Sequence, residues 1–444
     1  MDKFKLSRTN EYNNKLKQVL PGGVHYSFRM PWESHQIHLE EGKGTLAWDM
    51  DGNEYIDLFA KFGANILGHN DERYINSLTA CLGNITATNL SNNELDAVSM
   101  ICEFVPCAEM VRFSLSGTEA VQNAIRLARA YTKRNKFIRF WPHYHGSADN
   151  TMGGRVGDMS NPIPVEFPGD FYDTEGKADN ILQEQSLLLP WNDLDILSEV
   201  LSQQHNEVSA IITEPICING GGIMPVIGYL EGMRQLCDQY GVVLIFDEMI
   251  TGFRVGIGGA QRMFNVTPDL ATFGKAMAGG SLPVSAVAGK KEIMKLYENR
   301  RVAHGGTFNG YALGMAAVKS TLEILSENEC SGYDKMCTHM KAICDVFLKE
   351  ASANNIAFEI HTPSPCAVFT LAERETSCAP KETMIRQYLN KFVGQALVEY
   401  GILHSNSNRF YGNISMGQSD VDLFAERIKP VFASVQEFVE KLRN

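Results

Sequence analysis

The chain has 444 residues, of which 44% are hydrophobic and 21% charged, and its formal net charge is -12. This length predicts two domains with ample core. The acidic balance argues against nucleic acid as a partner, because phosphate binding depends on clusters of Lys and Arg. No apolar run is long enough to span a bilayer, and the ten cysteines form no CxxC pair. We therefore expect a cytoplasmic protein without a membrane partner and with reduced cysteines.

The N-terminal part of the sequence predicts an accessory lobe. Residues 7–19 have the pattern of a short amphipathic helix that ends at Pro21-Gly22-Gly23. Residues 44–59 indicate a hairpin that turns at Asp51-Gly52.

From about residue 94, helical segments alternate with short apolar strands, which is typical of a parallel sheet covered by helices on both faces. The strand segments are 110–115, 136–141, 208–216, 241–248, 270–275 and 284–289. Residues 151–190 are rich in Gly, Asp, Asn and Pro and indicate a long surface or active-site loop.

The predicted fold class is α/β, with a large domain and a smaller α+β domain. From about residue 321, helical patterns surround short strands such as "CAVFTLA". We therefore predict an N-terminal segment (1–60) that joins the small domain, a large domain (61–320) and a C-terminal small domain (321–444).

The segment Ser116-Gly117-Thr118 links a predicted strand to a strongly helical stretch that begins at Glu119. Free backbone N–H groups and the positive end of the helix dipole make such a start suitable for a phosphate. Taken alone, the segment more often indicates an ordinary helix N-cap with Ser or Thr.

Asp247 ends the apolar run "VVLIFD", and the carboxyl end of a strand is where open α/β sheets bind ligands. A buried carboxylate there needs a cation or hydrogen-bond donors, and a pyridinium nitrogen is one such cation. The alternative is a residue that only caps the next turn. The neighbouring Glu248 faces the other way on the pleat and is expected to order that turn.

Lys275 follows another short apolar strand and precedes a Gly-rich segment. A buried lysine with a lowered pKa forms Schiff bases well, because only the neutral amine attacks a carbonyl. A lysine in isolation is more often a solvated surface residue. The combination of a phosphate-binding helix start, a strand-end Asp and a strand-end Lys, in this order, predicts a pyridoxal phosphate site.

Two further residues are candidates for contacts with the cofactor ring, although each also suits core or turn packing. Tyr144 in "PHYHGS" has a ring that stacks on flat ligands, and Asn219 after "TEPICI" has an amide that donates to a phenolate oxygen. His143 and His145 raise a metal-binding alternative, but no matching ligand cluster accompanies them, so we predict no metal.

Several long motifs carry a resemblance to a known family. They include "SGTEAVQNAIRLAR", "YHG", "EPICIN", "HGGTFNGYALGMAA" and the segment from "FDEMITGFRVG" to "GKAMAGGSLPV". With these motifs the chain resembles the class III, fold type I pyridoxal phosphate aminotransferases, and among them the glutamate-1-semialdehyde aminomutases. The resemblance implies a large domain with a mostly parallel seven-stranded sheet, pyridoxal 5'-phosphate as cofactor, and a homodimer with shared active sites.

The family pattern also implies roles for individual residues. Lys275 would be the Schiff-base lysine and proton carrier, and Asp247 the partner of the pyridine nitrogen. The phosphate would be held by the segment Ser116, Gly117 and Thr118. Tyr144 and Met249 would pack on the two faces of the cofactor ring, and Asn219 would reach the ring oxygen. Thr307 would extend from a neighbouring subunit to the phosphate.

The chain departs from the aminomutases at positions expected to contact substrate. Arg29 is retained, whereas Tyr26 and Phe28 replace smaller residues, Phe62 lies where the aminomutases have "SWGP", and Phe410 aligns with an acidic gating residue. We therefore predict an aminotransferase that moves an amino group from an amino acid to a ketone or aldehyde of specialised metabolism, either sugar-like or derived from an amino acid. An aminomutase and a catalytically silent binding relative are the alternatives.

Overall fold

The structure is a computed structural model that describes residues 3–26, 36–84, 91–153, 176–178, 181–298, 300–361, 365–371, 384–405 and 409–443. The chain divides into two compact units. Unit 1 combines Met1–Glu72 with Ser331–Arg374 and Pro380–Asn444, and unit 2 consists chiefly of Arg73–Cys330. Both main boundaries fall later in the chain than the predicted boundaries at 60/61 and 320/321.

The strands are numbered in chain order through the described residues. They are β1 (Leu39–Lys43), β2 (Leu46–Asp49), β3 (Glu54–Asp57), β4 (Met110–Ser114), β5 (Lys136–Trp141), β6 (Ser186–Pro190), β7 (Val208–Thr213), β8 (Val243–Asp247), β9 (Leu270–Phe273), β10 (Ser285–Gly289), β11 (Phe358–His361), β12 (Cys366–Leu371), β13 (Ile402–Leu403) and β14 (Arg409–Tyr411).

The helices of unit 2 include Glu72–Gly83, Asn93–Phe104, Gly117–Thr132, Ile181–Gln185, Leu194–Gln204, Tyr229–Tyr240, Gly259–Phe264 and Lys291–Met294. Those of unit 1 include Ser7–Leu16, Met384–Glu399 and Gln418–Arg443. The helical stretch Ala312–Ala353 is interrupted by non-helical backbone at 327–330, where the chain passes from unit 2 to unit 1. Within the described ranges, no helix is both long and apolar enough to cross a membrane.

Unit 2 is built on a seven-stranded sheet with the order β4-β10-β9-β8-β7-β5-β6. The pairs from β9 to β6 are parallel, and only β10 runs antiparallel to its neighbours β9 and β4. Every residue of β7 and β8 is buried, as expected for central strands covered on both faces. The mostly parallel seven-stranded sheet predicted from the sequence is therefore confirmed.

The prediction of a loop over residues 151–190 is wrong at the C-terminal end of that range. The helix Ile181–Gln185 leads directly into β6, which pairs with β5 in parallel at the edge of the sheet. The run "SLLLP" is only five residues long, too short for its apolar character to stand out against the polar segment before it. Residues 154–175 and 179–180 of the predicted loop lie outside the described part of the chain.

Unit 1 contains a four-stranded sheet of order β1-β2-β3-β13 and a three-stranded sheet of order β11-β12-β14. The antiparallel pairing of β2 with β3 matches the hairpin predicted around Asp51-Gly52. The core of this unit is rich in aromatic side chains, including Phe347, Phe358, Phe369, Phe410, Phe424 and Phe432.

A left-handed turn follows β3 in unit 1. Ala60, Lys61, Phe62 and Gly63 have φ values of 44°, 53°, 57° and 80°, a conformation that non-glycine residues rarely adopt in succession. Oδ1 of Asp57 accepts hydrogen bonds from the backbone N–H groups of Phe59 at 3.0 Å and Ala60 at 2.9 Å. This carboxylate offsets part of the backbone strain at the start of the turn.

Candidate active site

The main candidate residues of unit 2 all follow strands that run in the same direction. Ser116 to Thr118 come after β4, Tyr144 after β5, Asn219 after β7, and Lys275 after β9. Asp247 is the last residue of β8 and is the register partner of Thr272 in β9. Because the carboxyl ends of parallel strands share one edge, these residues lie along the edge where α/β sheets bind ligands.

Asp247 is buried, with 3% of its surface exposed, and its carboxylate is held by three donors. Oδ2 lies 2.7 Å from Nδ1 of His145, and Oδ1 accepts from the Thr272 hydroxyl at 3.0 Å and the Met249 N–H at 3.2 Å. Because a carboxylate only accepts, Nδ1 of His145 carries the proton of that bond. These three bonds fix the direction of the side chain.

Lys275 begins a short 3-10 turn, Lys275–Ala278, directly after Gly274. Its φ of 43° lies in the left-handed region, and its side chain is half-buried. Left-handed backbone at a non-glycine residue is typical of functional sites, where the surrounding structure holds the strain.

The helix Gly117–Thr132 begins with a capping box. Oγ of Ser116 accepts from the Glu119 N–H at 3.3 Å, and the Glu119 carboxylate accepts from the Ser116 N–H at 2.8 Å. The capping box provides partners for the backbone N–H groups of Ser116 and Glu119. The N–H groups of Gly117 and Thr118, in the first turn, have no carbonyl acceptor within the helix itself. The ordinary N-cap and the phosphate-binding interpretations of this segment are therefore compatible.

Met249 lies between two glycines, and a Cβ atom on either one would press against its side chain. A Cβ atom on Gly117 would lie 3.1 Å from the Met249 side chain, and one on Gly274 would lie 2.6 Å from its sulfur. Since Gly274 precedes Lys275, the thioether packs between the helix start and the residue before the lysine.

A second glycine contact joins the segment after β5 to the helix start. Gly146 has a φ of 89°, and a Cβ atom there would lie 2.8 Å from Cα of Thr118. The Ser147 N–H donates to the Thr118 hydroxyl at 3.1 Å. Only glycine at position 146 allows the two segments to approach this closely.

Glu214, the residue after β7, is buried and contacts both ring-contact candidates. Its Oε1 accepts from the Tyr144 N–H at 2.8 Å and from Nδ2 of Asn219 at 2.9 Å, and its Oε2 accepts from the Asn219 N–H at 3.3 Å. Burial raises the pKa of this carboxyl, while His145 and the hydrogen bonds act in the opposite direction.

His143 is held as a neutral imidazole by one hydrogen bond and by ring packing. Its Nδ1 accepts from the Glu214 N–H at 3.0 Å, and its ring lies edge-on to Trp191 with centroids 5.0 Å apart. Burial lowers the pKa of the imidazole well below its ordinary value. Across the described part of the chain, no group of three or more His, Cys, Asp or Glu side chains is arranged to hold a metal ion.

Glu248, next to Asp247, contacts a different part of the chain, the turn after β8. Its Oε2 accepts from the Ala260 N–H at 2.6 Å and from the Thr251 hydroxyl at 3.0 Å. Burial raises the pKa of this carboxyl. The side chain therefore orders the turn after β8 and the start of the helix Gly259–Phe264, as its position on the pleat indicated.

Thr307 is exposed and belongs to a segment anchored through His304. Nε2 of His304 lies 3.1 Å from Oγ of Ser114, at the end of β4, and 3.3 Å from Nδ2 of Asn309. Burial, followed by the positive charges of Arg112 and Arg126, lowers the pKa of His304. The neutral imidazole thus connects this segment to the strand that precedes the helix start.

The predicted substrate residues belong to unit 1 or lie outside the described chain. Tyr26 and Phe62 are half-buried, and their rings are 5.7 Å apart in an edge-on contact. Phe410 has no exposed surface and packs 4.6 Å from the ring of Phe369, an environment typical of a core residue. Arg29 is outside the described residues. Substrate roles for these four residues stay predictions.

Sequence reasoning considered His145 only as part of a metal-binding alternative and did not single out Thr272 or Glu214. These three residues hold the candidate residues in place. His145 and Glu214 were inside quoted motifs, "YHG" and "EPICIN", but their contacts join different strands. A buried polar residue directly after a strand was the available signal, because such a group needs a partner.

The family model described as "Aminotransferase class-III" matches residues 29–358. The chain belongs to the class III aminotransferases. It is 34% identical over 422 residues to "Glutamate-1-semialdehyde 2,1-aminomutase 2" of Brevibacillus brevis, covering 92% of this chain and 94% of the relative. It is 38% identical over 327 residues to a protein of the same name from Lachnoclostridium phytofermentans, covering 73% and 75%.

Solved structures of a transaminase and of an aminomutase have the same fold. An omega-transaminase from Sphaerobacter thermophilus has a TM-score of 0.89 at 26% identity, covering 98% of this chain and 100% of that one. A glutamate-1-semialdehyde aminomutase from Pseudomonas aeruginosa has a TM-score of 0.82 at 20% identity, covering 96% and 94%. The predicted family, enzyme class and fold type I architecture are confirmed.

Pyridoxal 5'-phosphate is the cofactor of this class III aminotransferase, as predicted. The residues of unit 2 fit it chemically. A Cβ atom on Gly117 or Gly146 would fill the space around the helix start, a buried carboxylate is held at Asp247, and a lysine follows the neighbouring strand.

Proposed function

We propose that this class III aminotransferase moves an amino group from an amino acid to a ketone or aldehyde acceptor in two half-reactions at one site. The observation that carries the proposal is the buried Asp247, fixed by His145 and Thr272 at the edge where β9 leads to Lys275. A carboxylate held this firmly stabilises a cation placed against it without reorganising.

The residues of unit 2 divide the chemical work. We assign the phosphate to the helix start at Ser116, Gly117 and Thr118, and the pyridine nitrogen to Asp247, which keeps a proton on that atom. When bound, pyridoxal phosphate supplies an electron sink for charge that develops at the substrate α-carbon. The Lys275 amine would move the proton from that carbon to the cofactor carbon, and in the second half-reaction it would move a proton in the opposite direction, to the α-carbon of the amine product.

Ring contacts are assigned to Tyr144, Met249 and Asn219. Tyr144 and Asn219 are tied to the same carboxylate, and Met249 is confined between two glycines. These side chains orient the ring and exclude water, which fixes the geometry in which Lys275 reaches the substrate carbon.

The acceptor is proposed to be a carbonyl compound of specialised metabolism, sugar-like or derived from an amino acid. The proposal depends on the sequence departures at Tyr26, Phe62 and Phe410, together with Arg29. Replacing Phe62 with Ala is expected to change KM and the ranking of acceptors rather than the rate with the amino donor alone. A change in neither would remove Phe62 from the substrate contacts.

An aminomutase is the second candidate, favoured by the names of relatives that are 34% to 39% identical. Such an enzyme performs both halves of the reaction on one substrate. The deciding experiment supplies glutamate-1-semialdehyde without a separate donor or acceptor, with Lys275→Ala as the inactive control. We expect little 5-aminolevulinate and efficient turnover when donor and acceptor are both added; rapid formation from the single substrate would favour the aminomutase.

A homodimer with shared active sites is part of the same proposal, because Thr307 resembles the residue that extends to a neighbouring subunit's phosphate. Its exposure is compatible with that role. Mixing unfolded Lys275→Ala and Thr307→Ala chains and refolding them together should restore activity, since one site of each hybrid is then intact. Mixed chains no more active than the two separate variants would argue against shared sites.

A further inference from the structure

Glu214 connects two segments that leave neighbouring strands of the sheet. Strands β5 and β7 are paired in parallel, and the segments that follow them carry Tyr144 and Asn219. The Glu214 side chain accepts from the backbone N–H of Tyr144 and from both the side-chain and backbone N–H groups of Asn219. One carboxylate therefore fixes the separation of the two ring-contact candidates.

The charged form of Glu214 matches its hydrogen-bond partners. All three contacts are N–H donors, and a carboxylate accepts from each without supplying a proton. Burial, the largest effect, and the negative charge of Asp247 raise the pKa of Glu214, whereas His145 and the N–H donors act against that rise. The three N–H donors, and not the pKa, indicate the carboxylate form. Charge-assisted hydrogen bonds offset the cost of burying such a group.

The same carboxylate determines which end of the Asn219 amide faces it. Because an ionised carboxylate cannot donate, Nδ2 of Asn219 must point toward Oε1 of Glu214, at 2.9 Å. A neutral amide in place of the carboxylate presents both a donor and an acceptor, so it removes the reason for that orientation.

We propose that Glu214 is a positioning residue for the cofactor ring, acting as an ionised carboxylate that fixes the Tyr144 segment and the direction of the Asn219 amide. The inference rests on the proposed assignment of Tyr144 and Asn219 to the ring. Glu214 acts through these two residues, while its own backbone is held separately by the N–H bond to Nδ1 of His143.

The test compares Glu214→Gln with Glu248→Gln. Both glutamates are fully buried or nearly so, at 4% and 0% exposure, and both accept from backbone N–H groups, but Glu248 holds the segment from Thr251 to Gln261. The dissociation constant of pyridoxal phosphate is measured by titrating the full-length apoprotein and following tryptophan fluorescence. The pH dependence of the visible absorbance of the bound cofactor is recorded in parallel.

For Glu214→Gln we expect a dissociation constant raised about tenfold and a displaced absorbance titration, because the ring contacts lose their fixed orientation. For Glu248→Gln we expect a lower melting temperature, with the dissociation constant and the titration unchanged. Equal effects in the two variants, or none in Glu214→Gln, would overturn the proposal. If Glu214→Gln does not fold, Glu214→Asp, which keeps the charge but shortens the reach, is judged by the same two measurements.

A double-mutant cycle separates this inference from the site assignment. If Glu214 acts through Asn219, the Glu214→Gln change should weaken cofactor binding less in an Asn219→Ala background than in the wild type. Additive effects would overturn the positioning role and leave the assignment of Asn219 intact. If Tyr144→Ala and Asn219→Ala each bind the cofactor as tightly as the wild type, the ring assignment fails, and the inference fails with it.

Discussion

The carboxyl edge of the unit 2 sheet and the aromatic core of unit 1 are both buried, but they are buried differently. At the sheet edge, Asp247, His145 and Glu214 are polar groups whose contacts are directional hydrogen bonds. In the unit 1 core, Phe410 and Phe369 contact neighbours through ring packing. Burial alone therefore does not identify a functional residue, and neither does a set of hydrogen bonds, because Glu248 has both. Asp247 and Glu214 differ from Glu248 in that their partners include candidate cofactor contacts.

The comparison predicts that removing a sheet-edge group affects chemistry more than stability. Asp247→Ala should fold and lose about 10²- to 10³-fold in turnover, because a preorganised charge that stabilises the reacting state is gone. Steady-state rates and thermal melting measure the two effects, and Glu248→Gln on the adjacent position is the control. Near-normal turnover in Asp247→Ala would refute its assignment to the pyridine nitrogen.

The opposite outcome is expected in the aromatic core. Phe410→Ala should lower the free energy of unfolding by about 3–5 kcal/mol, since it leaves a cavity among packed rings. Leu95→Ala, at a position 73% exposed, should change it by less than about 0.5 kcal/mol. Denaturant unfolding measures both. A stable Phe410→Ala protein with altered substrate preference would instead support the role predicted from the sequence.

A smaller effect is expected where a glycine at the sheet edge contacts a site residue. Gly274→Ala places a Cβ atom 2.6 Å from the Met249 sulfur, so the thioether must move and cofactor affinity should fall about tenfold. In a Met249→Ala background, Gly274→Ala should reduce cofactor affinity much less. Equal losses in both backgrounds would show that the two residues are not coupled.

The smallest predicted effect is the pH dependence of the His304 anchor. Burial and two arginines lower the pKa of His304, so its neutral form contributes stability that is complete above the ordinary pKa of 6.5 and is lost as the pH falls through the lowered value. The difference in unfolding free energy between the wild type and His304→Ala should therefore shrink from about pH 8 to about pH 5, by less than about 1 kcal/mol. A difference that grows on acidification would contradict the neutral anchor.

Much of unit 2 was predictable from local pattern. Strand β5 was placed at its observed bounds, and Asp247 and Lys275 were identified from their positions at strand ends. Strand β6 was missed, because a five-residue apolar run carries little signal of its own. The reversed direction of β10 depends on pairing with strands distant in sequence, which no local window contains.

The site was predictable as a set of residue types but not as a network. Nothing in the local sequence indicates that Glu214 contacts Tyr144 or that Met249 lies between Gly117 and Gly274, because these contacts form only after the strands are assembled. At Phe410 the sequence suggested a functional role where the structure shows core packing. Its alignment with a gating residue suggested function, while its complete burial reflects the packing of unit 1.

The position of β4 has a consequence for how the site is completed during synthesis. β4 is an edge strand joined to the sheet through β10, with Ser114 opposite Ser285, and the Ser285 hydroxyl donates to the Ser116 carbonyl at 2.7 Å. The helix start leaves the ribosome long before β10 is synthesised. The pairing that fixes this part of the site to the sheet can therefore form only late in synthesis. A chain that ended before Ser285 would carry the phosphate-binding sequence without the strand that fixes it to the sheet.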